Sequence, residues 1–184
     1  MHSHVLILAL FFAPPPAPRS LTEIQHVLLG AWTGTLEYRD FSEPATSTKR
    51  VKLPTWLTIE SSGADLRFRY VYDDGPAKTV TDTEIIRIDS GAARYQVLGP
   101  EGTAKESYAI EGLATLREGK GTLVLTGPGT ENGAPVDART TFRIGRNILV
   151  ITRETSPHGE PMIFRHTYTL VRSAPPSAPS QTAP

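Results

Sequence analysis

The sequence contains no cysteine, and its 19 Lys and Arg are balanced by 19 Asp and Glu. Without thiols there is no disulfide framework, no thiol nucleophile and no thiolate-bound zinc. Zero net charge leaves no basic stripe of the kind that meets nucleic acid or an anionic membrane surface, so neither is an expected partner. Histidine is scarce: of five in the chain, two stand at positions 2 and 4, and a three-histidine metal centre would require His26, His158 and His166 to converge. No metal site is expected. Gly-x-Ser-x-Gly elbows, His-Glu-x-x-His helices, phosphate-binding loops and dinucleotide-binding glycine patterns are all missing. Asp73-Asp74-Gly75 lacks the remaining ligands of a calcium loop and reads as a turn. Binding is therefore a better expectation than catalysis.

Long apolar runs are lacking as well. The longest, VLILALFFA from Val5 to Ala13, spans nine residues. As a helix it would rise about 14 Å, well short of a roughly 30 Å hydrocarbon core, so no stable membrane span is expected. Its length suits the apolar core of an export signal, with a buried strand as the alternative. No Lys or Arg precedes it, and Pro14 and Pro18 follow Ala13 and Ala17. The expectation is a periplasmic or secreted protein with a signal-like leader and Pro-rich spacer over residues 1–20. At the other end, residues 173–184 read SAPPSAPSQTAP, with too few apolar side chains to offset the entropy of ordering. These two ends hold eight of the 16 prolines, which leaves residues 21–172 as one domain of ordinary proline content.

Within that domain Ser20 and Glu23 stand at capping-box spacing, and Leu21, Ile24, Val27 and Leu28 share a helical face, so a short helix should end at Gly30. The period then changes from 3.6 to 2. Trp32, Gly34, Leu36 and Tyr38 form one face of a strand; Leu53, Thr55, Leu57 and Ile59 another; Leu66, Phe68, Tyr70 and Tyr72 a third. Further strands are predicted over 79–88, 94–98, 105–110, 122–126, 136–144, 148–154 and 162–171. Ser62-Gly63, Asp74-Gly75, Ser90-Gly91, Asn132-Gly133 and Gly145-Arg146 supply tight reversals between them. Connections this short imply antiparallel neighbours in chain order. The predicted fold is all-β: a single antiparallel up-and-down meander barrel of about eight to ten strands with a short N-terminal helix. A sandwich is the alternative, but it needs longer crossovers.

The segment Leu29-Gly30-Ala31-Trp32-Thr33-Gly34, following a short helix and opening a strand meander, resembles the calycin barrels. These comprise lipocalins, fatty-acid-binding proteins and, with the extended Gly-x-Trp-x-Gly form, the nitrobindin-like haem barrels. The resemblance implies that Trp32 closes one barrel end and that an Arg near the end of the last strand packs across its ring. Arg172 is the first candidate and Arg165 the second. It also implies a lumenal ligand, and for nitrobindin-like barrels a haem iron held by one late histidine, here His166 or His158. No cofactor is the first expectation, with haem as the alternative.

If even-numbered residues of the last strand face inward with Phe164 and Leu170, then His166 and Tyr168 face the lumen. That pair stands roughly where fatty-acid-binding proteins place an Arg-x-Tyr couple, so anion binding here would depend on histidine protonation near pH 6.5. Tyr70, Tyr72, Tyr95 and Tyr108 would line the same lumen and suit an apolar or amphiphilic guest. Asp82 and Glu84 share a face with Val80, Ile86 and Ile88, near the strand mouth. The functional expectation is an exported, monomeric, lipocalin-like binder of a small molecule. The alternatives are a nitrobindin-like haem barrel and a filled structural or envelope barrel without a ligand.

Overall fold

The computed structural model describes residues 21–44, 47–116 and 119–173. The leader and the Ser/Pro/Ala-rich tail, apart from Ser173, lie outside the described residues.

Helix α1 (Leu21–Leu28) is followed by β1 (Gly30–Arg39), β2 (Arg50–Ser62), β3 (Asp65–Asp73), β4 (Thr79–Asp89) and β5 (Arg94–Leu98). The second half runs β6 (Ala104–Glu111), β7 (Gly121–Glu131), β8 (Ala134–Ile144), β9 (Ile148–Ser156) and β10 (Ile163–Arg172), with one 3-10 turn over Leu113–Thr115. Each strand pairs antiparallel with its sequence neighbours, and β10 returns to β1, closing a barrel of ten strands. An even-numbered meander makes that last pairing antiparallel too, and closure leaves no free edge strand at the ends of the sheet. The barrel, not the sandwich, is the architecture.

Period-2 alternation sets the wall. Leu57, Ile59, Leu66, Phe68, Ile86, Leu149 and Leu170 are buried inside, whereas Trp56 is about half exposed. Across the outer wall Trp56 stands opposite Thr33, Thr33 opposite Val171, and Val171 opposite Ile148, an apolar stripe over four strands. The hairpins follow their turn chemistry: Asn132 and Gly133, with φ of 49° and 79°, connect β7 to β8 in two residues.

Two departures from simple alternation matter. In β10, Phe164 stands opposite Glu154 and His166 opposite Arg153, so Arg165 is an extra, bulged residue. A bulge changes the phase of a strand. Phe164 consequently does not join His166 in the lumen but packs beneath the Arg50 guanidinium, 4.7 Å from its ring centroid. Strand β7 also runs past Thr126, where Gly127-Pro128-Gly129 reads as a strand breaker. Its pairing with β6 ends at Thr126 opposite Ala109, so Pro128 lies where no ladder bond to β6 is needed. A groove of about 370 Å³ separates Lys105–Ser107 from Pro128–Thr130 there.

Candidate functional site

Helix α1 plugs the lower barrel end with Ile24 and Leu28, both almost wholly buried, against Trp32. The indole Nε1 donates to the Leu28 carbonyl at 2.9 Å. Arg172 donates to the carbonyls of Leu29 and Val27, and its guanidinium carbon lies 4.1 Å from the Trp32 ring centroid. Gly30 is required beside this arrangement: its φ is +124°, and a Cβ there would approach Arg172 Nη1 to 2.7 Å. Arg165 lies elsewhere, ion-paired with Glu131.

Above this plug the barrel is filled by Ile88, Ile110, Leu123, Leu125 and Phe142, which leave a void of only about 10 Å³. The mouth half is hollow. Its cavity of about 280 Å³ has room for about nine water molecules at roughly 30 Å³ each. Tyr70 and Tyr72 of β3 stack with ring centroids 6.0 Å apart, and Tyr168 of β10 tilts against Tyr70 at 5.2 Å. The hydroxyls of Tyr72 and Tyr168 hydrogen-bond at 2.9 Å. His166 meets the Tyr168 ring edge-on at 5.3 Å. Tyr95 and Tyr108 form a second aromatic patch, with Tyr95 also 6.0 Å from Phe142.

Charged groups share this lumen. Asp82 and Glu84 enter from β4, Glu106 from β6 and Arg153 from β9, three carboxylates against one guanidinium for a formal charge of −2. Arg153 is already engaged: its Nη2 donates to the Tyr108 hydroxyl at 3.2 Å and stands 3.9 Å from Glu106, to which that hydroxyl donates in turn. Burial, reinforced by Asp82 and Glu106, raises the Glu84 carboxyl above its usual range. Burial, followed by the Arg153 charge, holds His166 down at about 4. His166 is therefore neutral at pH 7, and a carboxylate anchor switched on near pH 6.5 does not form. The phenols of Tyr72 and Tyr108 are pushed up to about 12, chiefly by burial, and burial also raises those of Tyr70, Tyr95 and Tyr168 well above their ordinary value.

Of the residues singled out in the sequence, Tyr70, Tyr72, Tyr95, Tyr108, His166 and Tyr168 all line this cavity. His158 does not: its side chain is 94% exposed and bonds Asp137 at 3.0 Å on the surface. Sequence reading missed Arg153 and Glu106. The signal was parity: Arg153 continues the inward series Leu149, Ile151, and Glu106 precedes Tyr108 and Ile110 on the same face. Among the described residues, no group of three or more His, Asp or Glu is placed to hold a metal ion. Nor is any described helix long and apolar enough to cross a membrane.

Fold and site together define a closed antiparallel β-barrel, filled below and hollow above, that fits a calycin-like barrel in general terms. Among solved structures it is similar to the crystal structure of Rv2717c from M. tuberculosis. That likeness has a TM-score of 0.58 at 16% identity and covers 83% of this chain and 98% of the other. At that identity the likeness speaks to the fold alone. No family model and no curated protein matches the sequence.

Proposed function

We propose that this chain is an exported, monomeric, lipocalin-like binding protein that holds one small amphiphilic molecule in the mouth half of its barrel. The carrying observation is the cavity of about 280 Å³, blind at the Trp32 end and lined by phenols, carboxylates and a neutral imidazole above a floor of apolar side chains. Such a chamber suits a guest with an apolar body and a polar end. A filled structural barrel accords with the lower half only. Native mass spectrometry of the purified protein should show one guest per chain after incubation with small amphiphiles. Val97→Trp, which fills the cavity without removing a polar group, should abolish it; an equal guest load on that variant would contradict the reading. Export rests on the Val5–Ala13 run, and an intact mass beginning at Met1 in protein recovered from the cell envelope or medium would refute cleavage of a leader.

For haem, His166 supplies a neutral imidazole inside the lumen, but the remaining surroundings do not fit. The cavity is too small to enclose a porphyrin, and Asp82, Glu84 and Glu106 would oppose its carboxylates. Titration with haem should leave the Soret band unchanged; a shift abolished by His166→Ala would overturn this view.

A further inference from the structure

Among the described residues, Tyr70, Tyr95 and Glu84 are lumenal side chains with no hydrogen-bond partner for their polar atoms. Tyr70 and Tyr95 are 7% and 8% exposed, and both line the cavity. Among the described residues, neither hydroxyl has a hydrogen-bond partner and the Glu84 carboxylate has neither ion pair nor hydrogen bond. Glu84 stands opposite Phe68 and one step along the wall from the pair Tyr70 and Asp82, and its charge acts on both free phenols. These polar atoms open onto the cavity, so whatever occupies it, water or a guest, is what they can bond.

We propose that the guest is a small organic ammonium ion, its N–H groups donated to Glu84 and to the hydroxyls of Tyr70 and Tyr95. This deepens the lumenal binding reading and rests on it. Each acceptor on the protein side is free, and the phenol rings add faces that attract a cation. Among the described residues, the one guanidinium of the lumen, Arg153, is committed to Glu106 and Tyr108, which leaves no unpaired cation to meet an anionic head. Leu125, Phe142 and Ile151 offer an apolar wall for a short aromatic or aliphatic body. A bare metal ion is the poorer match, because no described group of three ligating side chains converges.

Three probes of one shape test the charge: phenethylammonium, the neutral 2-phenylethanol and the anionic 3-phenylpropanoate, each titrated calorimetrically into the full chain. The ammonium should bind at least tenfold tighter than the alcohol, and the carboxylate should give no measurable heat. Glu84→Gln should lower ammonium affinity at least tenfold and erase its margin over the alcohol, with the far-UV circular dichroism and thermal unfolding of the variant as the check on folding. If the alcohol or the carboxylate binds as tightly as the ammonium, the preference is refuted while lumenal binding survives. If none of the three binds, both the preference and the binding reading on which it rests are refuted.

Discussion

The Arg172 guanidinium carbon lies 4.1 Å from the centre of the Trp32 ring while its two terminal nitrogens bond the carbonyls of Leu29 and Val27. One side chain thus joins the last strand, the first strand and the end of α1. The orphan carbonyls of a helix C-terminus need donors, and Arg172 with the Trp32 indole provides three. Arg172→Ala should cost about 2–4 kcal/mol, from a cation–π contact and charge-assisted hydrogen bonds. Arg172→Lys should recover less than half, since an ammonium lacks the planar fork. Urea unfolding of the three proteins checks both expectations.

Gly34 carries a steric requirement that Gly63 does not. A Cβ on Gly34 would lie 2.0 Å from the Thr169 carbonyl oxygen, in the seam where β1 meets β10, whereas one on Gly63 meets nothing within 4 Å. Gly34→Ala should therefore destabilise the barrel by about 3 kcal/mol or prevent closure. Gly63→Ala, which bears only the strain of φ +66°, should cost about 1 kcal/mol. Thermal unfolding of the two variants separates backbone crowding from backbone strain.

His166 gives stability a definite pH slope. Its imidazole titrates at about 4 when folded and near 6.5 when unfolded. Between these values the unfolded chain binds the extra proton, so stability rises with pH across that window and is lost as pH falls. The contribution is on the order of 3 kcal/mol, fully present above about pH 6.5. Arg153 and Tyr168 face His166, and Glu84, whose carboxyl is raised, contributes in the opposite sense by favouring the folded state as pH falls. His166→Gln should flatten the slope between pH 4 and 6.5 relative to the parent, as measured by urea unfolding across that range.

Arg153 is predicted to be a restraint on the wall and not an anchor for an anion. Arg153→Met would leave Glu106 and Tyr108 without their cation. Loss of about 1–3 kcal/mol of stability is expected from the partners left unpaired. Ammonium affinity should rise at the same time, because the formal charge of the lumen becomes −3. A fall in ammonium affinity at intact stability would contradict this role.

The barrel was legible in the sequence because its information is local. Alternation identifies a strand from a handful of neighbours, and residues such as Asn132-Gly133 and Ser62-Gly63 dictate reversals within two positions. Trp32 and the tyrosines on inward parity could be assigned to the interior for the same reason. What was not legible depends on partners far along the chain. The bulge at Arg165 exists because Ile163 and Phe164 pair with β9 in one phase and His166 onward in another, which no periodicity in β10 reveals. The extension of β7 through Pro128 depends on β6 turning away. Arg153 likewise takes its partners, Glu106 and Tyr108, from some 45 residues earlier, and nothing within its own strand names them.

The most direct measurement is a two-dimensional amide NMR titration of the full chain with phenethylammonium. Occupation of the lumen predicts saturable shifts at one equivalent, centred on Tyr70, Glu84, Tyr95 and His166, with the outer stripe of Trp56, Val171 and Ile148 unmoved. Shifts confined to that stripe, or none at all at saturating probe, would contradict a binding site inside the barrel.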